Sequence, residues 1–188
     1  MVRRLVIAAA MAVAAVSCSA PPEKERHQAE GALTAARAAD AAIYAPAELK
    51  TAEDALAQYD AAVGARDYRQ ALSLALAARD GAYEAARRAS DEKAGARGEA
   101  EQRVAALDAL TRAATARLGG VGGPRPSGAT ADHIRTALRP AASALQEARA
   151  RLGRQDYRGA IASVEPVLDL LRKAMDAANP PTSPPAAR

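Results

Sequence analysis

Gly64-Ala65-Arg66-Asp67-Tyr68-Arg69-Gln70-Ala71-Leu72 stands between two apolar-periodic runs. It returns as Gly153-Arg154-Gln155-Asp156-Tyr157-Arg158-Gly159-Ala160-Ile161. Both copies read Gly-x-x-Asp-Tyr-Arg-x-Ala and close on Leu or Ile. The pattern predicts a helix–turn–helix corner. Gly64 and Gly153 would each stop a helix in the left-handed conformation that other residues resist. Asp67 and Asp156 would cap the next helix by accepting a hydrogen bond from a first-turn amide. Tyr68 and Tyr157, with the Leu or Ile four residues on, would start the next buried stripe.

Upstream of the first corner, Leu49, Ala52, Leu56, Tyr59 and Val63 recur three and four apart, on one helix face. Leu33, Ala36 and Ile43 suggest an earlier stripe, and Pro46 predicts a kink or restart at Tyr44-Ala45-Pro46. Downstream, Tyr68, Leu72, Ala75, Leu76, Ala82, Tyr83 and Ala86 read as the apolar face. Gly95 and Gly98 are a soft point, each costing about 1 kcal/mol against Ala in a helix. Val104, Leu107, Leu110, Thr111, Ala114 and Leu118 resume the stripe.

Residues 119–129 are a Gly/Pro linker without the Gly-Lys-Ser/Thr ending of a phosphate-binding loop. Thr130 or Asp132 would cap the helix that follows. Ile134, Leu138, Ala141, Leu145, Ala148 and Leu152 form a heptad-like seam, which Pro140 should bend. Beyond the second corner come Tyr157, Ile161, Val164, Leu168, Leu171 and Met175, with Pro166 as a further kink. Setting Gly64 on Gly153 aligns the halves without a gap: Leu49 meets Leu138, Ala52 meets Ala141 and Leu56 meets Leu145. A duplicated hairpin explains this.

The expectation is an all-α, elongated antiparallel bundle built from two helical hairpins, with helices at 23–63, 66–118, 130–152 and 155–178. Residues 130–152 should lie beside 96–118. Phe and Trp are absent and Ala dominates, so the core must form between closely approaching helices; no stretch supplies β-branched, aromatic strands. In domain terms, 23–118 is the first hairpin, 119–129 the linker and 130–178 the second hairpin. The Pro-rich tail, 179–188, is expected to be disordered.

Residues 1–17 read as a secretory signal: Arg3 and Arg4, then an apolar core from Leu5 to Val16, too short to span a bilayer comfortably. Ala15-Val16-Ser17-Cys18 resembles the bacterial lipobox, in which small residues precede a Cys that receives a diacylglycerol thioether. Cys18 is the only cysteine, so it is the expected lipidation site and no intrachain disulfide is available. By the same resemblance Ser19 favours the outer membrane, facing the periplasm. Residues 18–22 are the lipidated Cys and tether. Without Arg3 and Arg4 the chain carries 24 basic and 22 acidic side chains, which gives no electrostatic footprint for nucleic acid.

Catalytic chemistry finds little to work with. His27 and His133 are far apart, with no second ligand at metal spacing. Glu53-Asp54 and Asp91-Glu92 are adjacent pairs that diverge on a helix and read as solvated faces. Arg87-Arg88 and Arg149-x-Arg151 could touch anionic lipid or glycan, but acidic neighbours dilute them. No catalytic residue, metal or cofactor is expected.

The corner resembles the turn of tetratricopeptide repeats, although the remaining positions of that repeat do not fit. Tyr44-Ala45-Pro46-Ala47-Glu48-Leu49, Ala52, Leu56, Asp67-Tyr68, Ala71, Ala75, Ala78 and Ala82 resemble domain of unknown function 4398, over roughly residues 29–94. That helical module occurs in bacterial envelope lipoproteins, so the resemblance implies an envelope location and carries over no functional residue. The expected function is a non-catalytic envelope lipoprotein. It would act as a helical scaffold or adaptor for a protein partner or peptidoglycan, held to the membrane by its lipid. The alternative is a periplasmic carrier or sensor of a lipid or small apolar ligand.

Overall fold

A computed structural model describes residues 20–121 and 125–178. The expected signal segment, Cys18 and the Pro-rich tail lie outside the described residues. The fold is all-α. Seven helices occupy the described residues: α1 (Glu23–Ala38), α2 (Ala41–Tyr44), α3 (Pro46–Gly64), α4 (Tyr68–Leu118), α5 (Gly128–Leu138), α6 (Ala141–Gly153) and α7 (Tyr157–Ala178). They belong to two compact units, Met1–Glu92 and Lys93–Arg188. The division falls inside α4, and the Gly/Pro linker joins two helices of the second unit.

In the first unit, α1 and α3 run antiparallel. Arg26 lies 3.7 Å from Asp60, and Arg37 lies 2.7 Å from Glu53, so one position rises as the other falls. The start of α4 returns antiparallel to α3, with Arg88 3.1 Å from Glu48. These exposed pairs add little stability and serve here as register marks. The interior is mostly alanine: Ala29, Ala32 and Ala36 of α1, Ala52 and Ala62 of α3, with Leu33, Leu49, Tyr44 and Tyr59 the larger members.

Two expectations fail in this unit. The first helix, expected over 23–63, is interrupted twice. Asp40 turns left-handed (φ 61°), a conformation that Asp tolerates better than most residues. Ala45 then leaves the helical region (φ −141°), and Pro46 restarts the helix at its first position, where its missing N–H costs nothing. The second restart was expected; the break at Asp40 was not, and it turns Ile43 out to 51% exposure.

The buried face of α4 keeps the expected Ala75 and Ala82 and otherwise departs from the expected one. Ala71, Ala75, Ala78, Ala82, Ala85 and Ala89 are all fully buried, while Leu72 and Tyr83 are exposed. Their four-three spacing is a heptad seam made of methyl groups. The reason is closeness: a Cβ built on Gly81 would stand 3.4 Å from Ala52 Cβ of α3. At that separation the backbones admit methyls and no branched side chain.

The second unit takes in residues 93–118 of α4 with α5, α6 and α7. Val104, Leu107 and Ala114 of α4 share one core with Ile134, Leu145, Ala148, Tyr157, Val164, Leu168 and Leu171. Residues 130–152 therefore do lie beside 96–118. α7 runs parallel to α4: Lys93 donates to Gln155 (2.9 Å) and Arg103 to Glu165 (2.6 Å), at the same offset of 62 residues. Gly95 and Gly98 leave α4 unbroken over its 51 residues. Pro140 separates α5 from α6 instead of bending one helix, because it cannot donate to the preceding turn. α5 begins at Gly128, ahead of both expected caps; Ser127 occupies the cap position and its hydroxyl meets that of Thr130 at 2.9 Å. Pro166 lies inside α7.

The repeat persists in the packing. At the offset of 89 residues that superposes the corners, Ala52 and Ala141, Tyr59 and Ala148, Ala71 and Ala160, Ala75 and Val164, Ala82 and Leu171, and Ala85 and Ala174 are all buried.

Candidate interaction surface at the first corner

Both corners are built alike, and not as their glycines suggest. Gly64 and Gly153 are the last helical residues of α3 and α6. The left-handed residues are Arg66 (φ 60°) and Gln155 (φ 61°), two positions later. Around them the hydrogen bonds form a Schellman pair. Arg66 N–H donates to Val63 C=O and Asp67 N–H to Ala62 C=O, both at 2.9 Å. Gln155 and Asp156 repeat this to Leu152 and Arg151 at 3.0 Å. The motif satisfies the last orphan carbonyls and fixes the left-handed residue by its position in the loop, whatever residue stands there.

The aspartates then open the next helix. Asp67 Oδ1 accepts from Gln70 N–H, and Asp156 Oδ1 from Gly159 N–H, each at 3.0 Å. Tyr157 is buried and Tyr68 half-buried. The second corner is tied down further. Arg151 donates to Asp156 at 2.8 Å, and Lys93 holds Gln155. The Asp156 carboxyl consequently sits below the usual carboxylate range, first through the Gly159 amide and then through the Arg151 guanidinium.

Among the described residues the first corner has no such ties. Ala62 stands where the second corner has Arg151. Instead, the chain entering α1 lies beside it: Ala20 and Pro22 line a wide, open cleft of about 970 Å³ together with Arg66, Asp67, Tyr68, Arg69, Leu72 and Ser73. Antiparallel α1 and α3 bring this about, since the start of one meets the end of the other. Five other arginines are described in this unit, Arg26, Arg37, Arg79, Arg87 and Arg88, and each sits in an ion pair. Arg66 and Arg69 are in none among the described residues. Leu72 beside them is 39% exposed. The corner arginines could be found in the sequence; their nearness to the tether needed the antiparallel geometry.

The other basic candidates are neutralised. Arg87 bonds Glu84 and Asp91, Arg88 pairs with Glu48, Arg149 with Asp108, and Arg151 with Glu147. Glu53 and Asp54 face Arg37 and Lys50. His27 and His133 are both exposed. Among the described residues no cluster of three potential metal ligands occurs, and no helix is long and apolar enough to cross a membrane. In the second unit an open apolar furrow of about 330 Å³ runs between Ala106, Leu110 and Ala113 of α4 and Leu168 of α7. Comparison with family models, with curated proteins and with solved structures yields no match.

Proposed function

We propose that this chain is a non-catalytic, lipid-anchored helical scaffold of the bacterial cell envelope. It is joined to the membrane at Cys18 and presents its helix flanks to a protein partner or the cell wall. The observation that carries the reading is where the tether emerges. Ala20 and Pro22 sit at the first corner, at one end of the first unit, so an anchor there leaves the flanks of α1, α3 and α4 clear. The alanine-packed interior of that unit suits a slender spacer: small side chains lose little rotamer entropy and let the helices pack closely. Ser19, by the resemblance to lipoprotein sorting, supports an outer-membrane location facing the periplasm.

The test is metabolic labelling of cells with an alkynyl fatty acid, followed by membrane fractionation. Wild type should be labelled and sediment with membranes, whereas Cys18→Ser should be unlabelled and released. Equal labelling of the two would overturn the reading. A carrier of lipid or small apolar ligand is the second reading, and the furrow at Leu110 and Leu168 is the observation on its side. Recovery of a bound lipid from the purified protein, with no cross-linked protein partner, would reverse the order.

A further inference from the structure

We propose that the first corner is the membrane-apposed end of the protein, where Arg66 and Arg69 lie against anionic phospholipid headgroups. This rests on the lipid anchor proposed above. Cys18 precedes Ala20 by two residues, a reach of at most about 7 Å in extended chain, and Ala20 shares its cleft with Arg66 and Arg69. An acylated Cys18 therefore brings a bilayer surface to this corner.

The corner is equipped for that neighbour. Two exposed arginines stand here without a carboxylate partner among the described residues, in a unit where the five others described are paired. Guanidinium groups bind phosphate in a bidentate fork. Leu72 and the half-buried Tyr68 supply an apolar body beneath the cationic tips, the composition of an interfacial surface. Asp67, whose Oδ1 accepts from the Gln70 amide, is the carboxylate among the residues lining this cleft, and Arg66 and Arg69 outnumber it two to one. The second corner shows the contrast: Gln155 replaces Arg66 at the left-handed position, and Lys93 holds it.

Because Cys18 is the only cysteine, the mature chain can be coupled through it to a maleimide lipid. This supplies the anchor chemically and keeps the result independent of lipidation in the cell. Hydrogen exchange of residues 65–73 is then read on vesicles of phosphatidylcholine alone or mixed with phosphatidylglycerol. The expected result is slower exchange on the anionic vesicles. The protection should fall roughly fivefold for each arginine removed, the weight of one cation at an anionic surface, in Arg66→Gln and Arg69→Gln. Gln is already the residue at the matching position of the second corner, so Arg66→Gln should fold, and an unchanged thermal melt verifies it.

The control Arg139→Gln with Lys173→Gln removes the same charge elsewhere and should keep the protection. Equal exchange on the two kinds of vesicle would overturn the proposal, as would loss of protection in the control. Protection that appears without vesicles and grows with protein concentration would assign the corner to a second copy of the chain instead, which also overturns it.

Discussion

Gly64 and Gly153 look like helix stops and behave as ordinary helical residues. A Cβ at either would meet nothing within 4 Å. Gly64→Ala and Gly153→Ala should therefore each stabilise the protein by about 0.4–1 kcal/mol, by removing freedom from the unfolded chain. Arg66→Gly should also stabilise, by about 1 kcal/mol, because it relieves a left-handed non-glycine residue. Urea midpoints decide both; a loss of stability in Gly64→Ala would restore the glycine-stop reading. The aspartate caps were legible because a cap needs a specific side-chain acceptor. The left-handed residue was not, because the hydrogen-bonded loop selects it by position, and neither Arg nor Gln advertises it. Asp67→Ala should cost about 1 kcal/mol and Asp67→Asn little. Asp156 adds a pH dependence. Its carboxyl is depressed in the folded state, so its contribution is present above the unfolded value and is lost as pH falls through the folded one. The second corner should loosen in acid below about pH 4, and Asp156→Asn should flatten that part of the stability profile.

Helix faces were legible where the side chains differ in size. The seam of α6 and α7 was read correctly because Leu145, Val164, Leu168 and Leu171 are large side chains that recur at helical spacing. At the start of α4, Ala75 and Ala82 were read correctly and Leu72 and Tyr83 were not, since Leu72 and Tyr83 outweigh alanine on any apolar scale while the close approach of α3 selects the alanines. The two readings predict opposite mutational behaviour. Ala82→Leu should destabilise by about 1–3 kcal/mol through overpacking, whereas Leu72→Ala should stay within about 0.5 kcal/mol, as surface changes do. Thermal melts of the pair separate them. Tyr59 is a different case. It is 1% exposed, its hydroxyl is unpartnered among the described residues, and the Arg26 guanidinium stands 6.0 Å from the ring centre. Tyr59→Phe should therefore gain about 1 kcal/mol by removing a buried, unsatisfied hydroxyl.

The two units share a plan and differ in filling. Apart from Tyr59, the most deeply buried large side chains, Leu107, Ile134, Val164, Leu168 and Leu171, all belong to the second. Each buried methylene contributes about 0.8 kcal/mol, so the alanine-filled first unit should open more readily. Hydrogen exchange should be faster over 71–89 than over 160–174, and the reverse order would mean that close alanine packing compensates for lost volume. Leu168→Ala should cost about 2–5 kcal/mol. The sequence reading sets 130–152 beside 96–118, and the core of the second unit does join them; the hairpin bounds leave unmarked only the division inside α4, because a Gly/Pro stretch marks where a chain turns and says nothing of which helices share a core.

That α4 passes through the division sets what happens when the backbone is cut. Val121, exposed just past the end of α4, is the natural place for a protease to enter, yet cleavage there separates no finished body. It leaves Val104, Leu107 and Ala114 on one fragment and Ile134, Leu168 and Leu171 on the other, two halves of one interior. The nicked protein should stay together through gel filtration, and the carboxyl-terminal fragment alone should be unfolded. Mixing the separated pieces should regenerate the helical signal, so the chain can be run as a two-piece complementation system whose switch is the reassembly of a single core.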